Sequence, residues 1–180
     1  MMKLIGRLLS GAVLAAVTAF SGVPASAADI TIAIGSEPST LDPQARDDGG
    51  ERAINDNVYE TLMARTPDGK LVPGLAAAEP VQIDATTWEF KLRPDIKFHN
   101  GEPFNADAVV TSVTRIIDPA LKSEQMAYFG TIASAEKVDD LTVRVITNGP
   151  DPILPSRMYW MKMVPAKYSS DPNFASAPVG

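Results

Sequence analysis

The side chains with the clearest chemical capacity in this sequence are two pairs of adjacent aspartates and a single histidine. Asp47-Asp48 and Asp139-Asp140 could in principle transfer protons, but adjacent acids in polar turns are usually just solvated. His99 is the only histidine, which excludes the two-histidine zinc signatures within this chain. We interpret it as a turn residue whose ring lies partly in solvent. These residues therefore predict no catalytic group.

Three methionines near the end of the chain raise the possibility of a copper site. Met158, Met161 and Met163 carry thioethers, which bind copper(I). Their neighbours are Trp160 and Val164, however, and methionine often fills irregular gaps in a core. The pattern favours core packing over metal binding.

The acidic segment 42–51 does not fit a calcium loop. The EF-hand register that places Gly49 at the required glycine puts Gln44 and Arg46 at the first ligand positions. The sequence has no cysteine, so disulfides, thiolate ligands and cysteine nucleophiles are excluded. It also lacks a phosphate-binding glycine loop and a GxSxG elbow. We therefore expect no enzyme activity, no metal and no cofactor.

A strand, a tight turn and a helix are predicted in the most informative part of the sequence. Apolar and charged residues alternate over 88–92, which predicts a strand with one buried face, and a second short strand is predicted at 96–98. The Asn100-Gly101 pair tolerates positive φ and favours a tight turn. Asn105 can cap the next helix, and Asp107 lies close enough to its N-terminus to favour the macrodipole.

The rest of the chain shows the same two periods, interrupted by proline, glycine and aspartate turns. The other predicted strands are 30–34, 81–83, 132–138, 141–147 and 159–164, and the predicted helices are 51–63, 105–117 and 153–158.

The first 27 residues have the three parts of a secretory signal peptide. Lys3 and Arg7 give a positive start, 8–20 is mostly apolar, and the small-x-small pattern ending at Ala27 suits signal peptidase. The alternative is a membrane anchor, but the apolar stretch is shorter than the roughly 20 residues that a spanning helix needs. We expect cleavage after Ala27 and export to the periplasm, without lipid attachment because there is no cysteine.

The charge of the chain disfavours nucleic acid as a partner. The formal net charge is −6, and the charged residues are dispersed. Nucleic-acid binding requires a basic face that displaces counterions. A dispersed acidic surface is typical of solubility and does not indicate a cationic ligand.

Several motifs resemble the family 5 solute-binding proteins of ABC importers, the peptide, dipeptide, oligopeptide and nickel group. The run Phe-His-Asn-Gly-x-Pro-Phe at 98–104, followed by a capped helix, resembles the family signature. The loop 36–43 resembles the "x-E-P-x-x-L-D-P" loop that follows the first strand, and 139–143 resembles the "D-D-x-T-V" hairpin. One departure is Ala108, which stands where the family usually carries an acid, so the capping box is incomplete.

The resemblance implies a mixed α/β (α+β) fold of the periplasmic-binding-protein-like type II kind, with two lobes joined by a hinge. Residues 28–180 would be the N-terminal part of lobe I in a longer protein. In the family the first-strand loop lines the cleft, which makes Ser36, Glu37 and Pro38 candidate ligand-binding residues. Tyr128 is a further candidate, because a tyrosine near this place can reach the ligand. The plainer alternatives are a connector for the loop and a core position for Tyr128.

The resemblance also implies a function. The protein would be the periplasmic substrate-binding component of an ABC importer that captures di- or oligopeptides, acts as a monomer and delivers them to permease and ATPase subunits. A nickel chelate, haem, glutathione or an opine are alternative ligands within the same transporter class. An exported enzyme and a peptide-binding chaperone are the alternatives from other classes.

Overall fold

The computed structural model describes residues 31–33, 35 and 37–180, so the predicted signal peptide, 1–27, lies outside the described residues. Two compact units divide the chain between Ala33 and Ile34. Residues 31–33 of the first unit have no regular secondary structure. The strand predicted at 30–34 is therefore not formed over 31–33, because a strand needs a neighbour to bond its backbone groups and none of the described strands pairs with this segment.

The second unit, 34–180, alternates short strands and short helices along its described residues. In chain order these are α1 Gly49–Asn55, β1 Met63–Arg65, β2 Leu71–Pro73, β3 Val81–Gln82, β4 Thr87–Lys91, α2 Ala106–Ile117, α3 Met126–Phe129, β5 Ile132–Asp139, β6 Thr142–Thr147, α4 Leu154–Arg157 and a 3-10 turn Tyr168–Ser170. Helices and antiparallel strands occur together, as the predicted mixed α/β class requires.

The main sheet has four antiparallel strands in the order β3-β4-β6-β5. Phe90 on β4 lies opposite Val143 on β6, and both side chains are fully buried. Asp139 accepts a hydrogen bond from the Leu141 amide (2.8 Å) in the turn between β5 and β6. The predicted strand 88–92 and the hairpin at 132–147 are therefore confirmed.

Helix α2 packs against β5 and covers one face of the sheet. Its N-terminus is capped as predicted, since Asn105 Oδ1 accepts hydrogen bonds from the Asp107 amide (3.0 Å) and the Ala108 amide (3.2 Å). The buried apolar side chains of the helix include Val109, Val113 and Ile116. These residues join those of the sheet and of the later loops in one core.

The helix predicted over 51–63 is wrong in its extent. Helix α1 ends at Asn55, and Met63 instead begins β1, where it pairs with Pro73. The buried residues of α1 are the polar Glu51 and Asn55. The four-residue apolar spacing is therefore coincidental, because its later members reach the core from a turn and a strand.

Two predicted strands are single bridges in the structure. Residues 96–98 form one bridge, between Lys97 and Pro103, beside the confirmed turn in which Gly101 has a φ of +85°. Residues 159–164 also form one bridge, between Thr61 and Lys162.

The segment 159–164 is buried without being a strand because its backbone bonds to loops and side chains. The Met163 amide donates to the Glu60 carbonyl (3.0 Å), and the Val164 amide donates to Ser112 Oγ (2.9 Å). Its two methionines and the nearby Met158 are buried in the core, as the gap-filling interpretation expects.

Candidate functional site

The loop before α1 is fixed to the core by a buried polar network. Gln44 is fully buried, and its Nε2 donates to the Ser112 carbonyl (3.0 Å) and the Lys162 carbonyl (3.1 Å). Arg115 on α2 makes a two-pronged ion pair with Asp42, at 3.0 and 2.5 Å. Asp42 thus shapes the turn, as predicted, and the network holds the following residues against the fold.

Five side chains beyond this network form a surface that we call the polar wall: Arg46, Asp47, Arg52, Tyr128 and Trp160. Tyr128 Oη donates to Asp47 Oδ2 at 2.9 Å, and Arg52 forms an ion pair with the same carboxylate. The Arg52 guanidinium lies 4.8 Å from the ring centre of Trp160, within cation–π range. Tyr128 is 41% exposed and Trp160 40% exposed, so two aromatic faces and several charged groups are open to a ligand.

Hydrogen bonds from behind fix the polar wall in place. Gln125 Nε2 donates to the carbonyls of Pro43 (2.8 Å) and Arg46 (2.7 Å). Glu124 accepts from the Asp47 amide at 3.2 Å and pairs with the Arg46 side chain. The hydrogen bond to Arg46 lowers the pKa of the Glu124 carboxyl, and the same bond raises the pKa of Arg46. Both groups are therefore charged at neutral pH.

Tyr128 acts as a hydrogen-bond donor throughout the physiological pH range. Its hydrogen bond to the Asp47 carboxylate, followed by the negative charge of that group, raises the pKa of the phenol. An ionised phenol would lose the proton that it donates and would repel Asp47. The hydroxyl therefore stays neutral and keeps Asp47 oriented.

A small depression opens beneath the polar wall, with a volume of about 30 Å³. Glu51 and Asn55 line it from α1. Glu51 Oε1 accepts hydrogen bonds from the Ser39 amide (2.7 Å) and Ser39 Oγ (2.6 Å). Glu51 Oε2 and Asn55 Oδ1 are buried and have no hydrogen-bond partner among the described residues.

The residues predicted to bind ligand have different outcomes. Ser36 lies outside the described residues. Glu37 is exposed and lines a second depression, which shares Arg46 and Glu51 with the first, whereas Tyr128 lines the first. Pro38 is half-buried and lines neither depression. Glu37 and Tyr128 therefore lie beside one connected surface, and their binding role stays a prediction.

Sequence reasoning missed Arg46, Arg52 and Trp160. Arg46 and Arg52 stand in a polar stretch with no periodicity, and Trp160 lies in a run that predicts a buried strand. Their proximity depends on the Gln44 and Asp42 network, which joins segments far apart in the sequence. No local signal in the sequence could have brought them together.

The described residues also limit other kinds of site. Within 31–33, 35 and 37–180 there is no group of three histidine, cysteine, aspartate or glutamate side chains placed to hold a metal. No helix in the same part of the chain is long and apolar enough to span a membrane.

Residues 70–180 match the family model described as bacterial extracellular solute-binding proteins, family 5 middle, and the chain belongs to this family. The glutathione-binding protein GsiB of Pectobacterium atrosepticum is 36% identical over 125 residues, which cover 69% of this chain and 24% of that protein. The chain thus spans about a quarter of the length of the curated relatives that it matches.

Solved structures of the same family have the same fold. Haemophilus influenzae OppA, in complex with the peptide RPPGFSPFR, superposes with a TM-score of 0.74 at 26% identity, covering 81% of this chain and 33% of that one. AgaA of A. tumefaciens R10, in complex with agropinic acid, gives 0.71 at 31% identity, covering 80% and 30%. The fold is that of a periplasmic-binding-protein-like lobe in part, as predicted, and the relatives are binding proteins.

Proposed function

We propose that the whole protein, of which this chain forms part of one lobe, captures small peptides in the periplasm and delivers them to the permease of an ABC importer. The observation that carries the proposal is the family match over 70–180. The likeness to OppA, which was solved with a bound peptide, supports a peptide ligand. We further propose export through the signal peptide 1–27, a monomeric state and no bond-making chemistry.

The polar wall suits this task because it offers donors, acceptors and aromatic surface side by side. The guanidinium of Arg52 and the carboxylate of Asp47 are partly exposed, and Tyr128 and Trp160 present ring faces. Backbone amides and carbonyls of a peptide can bond to such groups directly or through water, which tolerates varied side chains. A second lobe would close over the bound peptide, and ligand contacts to both lobes would favour the closed state.

The proposal is tested by calorimetric titration of the whole protein with di-, tri- and nonapeptides, and of this chain alone with the same set. We expect saturable binding by the whole protein and none by the chain alone, because half of the contacts would be missing. Tight binding by the chain alone would contradict the two-lobe account. Failure of every peptide with the whole protein would contradict peptide capture.

Glutathione is the second candidate ligand, because the curated relatives that match are glutathione-binding proteins. Glutathione is itself a modified tripeptide and would present amides, carboxylates and an amine to the same wall. Inclusion of glutathione in the titrations separates the two candidates: tighter binding of glutathione than of every unmodified peptide would assign it as the ligand.

Replacing Glu37 with alanine in the whole protein is expected to weaken ligand binding about tenfold, as for loss of one hydrogen bond to a charged group. The free energy of unfolding should change by less than about 1 kcal/mol, because Glu37 is exposed. Calorimetric titration and urea denaturation measure the two effects. Glu136→Ala, at an exposed position on β5, is the matched control and should change neither. A large loss of stability with unchanged affinity would return the loop to a connector role.

A further inference from the structure

We propose that the depression beneath the polar wall is a subsite for a primary ammonium group, such as the free amino terminus of a peptide. This inference rests on the proposed function for its biological meaning, while its chemistry rests on Glu51 and Asn55 alone. The site would recognise the charged end of the ligand, and the polar wall would contact the groups that follow.

Two buried acceptors in this depression lack donors. Glu51 is 6% exposed and Asn55 is 5% exposed. Ser39 uses one carboxylate oxygen of Glu51, while Glu51 Oε2 and Asn55 Oδ1 have no partner within the described part of the chain. The two residues are four positions apart on α1, which places them on the same face of the helix. Buried acceptors without donors are rare in folded proteins, and a buried carboxylate without a partner is costly.

The missing group should carry positive charge as well as protons. The other charged residues that line the depression already have opposite charges beside them: Arg46 with Glu124, Arg52 with Asp47, and Lys162 with Asp56. Glu51 is the charged lining residue left without a cation among the described residues. A water molecule would satisfy the acceptors and leave this charge unbalanced, whereas an ammonium group does both.

The size of the depression selects among cations. Its volume of about 30 Å³ has room for one or two water-sized groups. An ammonium head is compact and has up to three donors, whereas a guanidinium is a broad planar fork. Tyr128 and Trp160 also line the depression, where they can contact the carbon that bears the nitrogen.

Methylammonium is the probe, because it carries only the proposed group and requires no knowledge of the natural ligand. Saturation-transfer NMR on the whole protein should show a saturable signal at the methyl protons. Tetramethylammonium has no N–H donor and should neither give this signal nor compete for it. Absence of a saturable signal, or equal binding of both ions, would overturn the proposal and leave a site for water only.

Glu51→Gln tests the charge while preserving the fold. The amide oxygen can still accept from Ser39, and the new amide protons can donate to Asn55 Oδ1, so we expect a melting temperature that is unchanged or higher. Methylammonium affinity should fall at least tenfold, whereas Glu136→Gln, which removes an exposed carboxylate on β5, should leave it unchanged.

Asn55→Leu provides a second variant that does not depend on the folding of the first. It removes one acceptor and keeps the carboxylate, so methylammonium affinity should fall severalfold and remain measurable. Unchanged affinity in both Glu51→Gln and Asn55→Leu would overturn the assignment.

Peptides with and without a free amine separate this inference from the proposed function. The whole protein should bind Ala-Ala-Ala or glutathione at least tenfold more tightly than the N-acetylated form, and Glu51→Gln should abolish this difference. Equal affinity for the two forms would overturn the subsite and leave peptide capture intact. If neither form binds, peptide capture fails, and the methylammonium experiment still decides the subsite.

Discussion

Arg115→Met is expected to lower the free energy of unfolding by about 3–5 kcal/mol, because it leaves the carboxylate of Asp42 buried without its partner. Asp42 is 6% exposed, and Arg115 bonds both of its oxygens at 3.0 and 2.5 Å. Arg115 also donates to Gln44 Oε1 at 3.0 Å, so the variant removes a second buried hydrogen bond. Urea denaturation monitored by far-UV circular dichroism measures the loss.

The double variant Asp42→Leu/Arg115→Met separates the buried charge from the rest of the network. It removes both charges, so we expect it to recover a large part of the lost stability. Lys137→Met is the matched control, because Lys137 pairs with Asp107 and Asp140 at the exposed surface and its loss should not be measurable. If Arg115→Met costs no more than Lys137→Met, the network does not hold the loop as described.

Phe90→Ala is expected to lower the free energy of unfolding by about 3–5 kcal/mol, because it opens a cavity in the core. The ring is fully buried on the central strand β4, opposite Val143. Neighbouring side chains on the sheet and α2 are held by their own packing and can fill the space only in part. Differential scanning calorimetry should show the corresponding fall in melting temperature.

Val81→Ala is the control for this variant. Val81 lies on the edge strand β3 and is exposed, so its truncation should change the free energy of unfolding by less than about 0.5 kcal/mol. Similar losses for Phe90→Ala and Val81→Ala would show that the sheet packs in a different register from the one described.

Elements with strong local patterns could be predicted from the sequence. The Asn105 cap, the amphipathic α2 and the β5–β6 hairpin depend on residues within a few positions of one another. Period and turn chemistry therefore determined them. The same reasoning failed at 51–63, where the buried face of α1 is polar, and at 159–164, where backbone groups bond to loops instead of a strand.

The candidate site was predictable only in part, because long-range contacts assemble it. Glu37 and Tyr128 were found through a resemblance to a family, and neither has a local pattern that indicates binding. Arg52 meets Trp160 only after Gln44 has joined the loop to α2 and to Lys162. A buried glutamine in a polar loop has no periodicity that would distinguish it from a solvated one.

The separation of Asp42 and Arg115 by 73 positions has a consequence for the order of folding. Helix α2 and strands β5 and β6 are near neighbours along the chain, so little loop entropy opposes their early association. The loop must wait for that scaffold before it can dock. The ion pair therefore acts mainly after the transition state, where it slows the escape of the native protein and contributes little to the rate at which it forms.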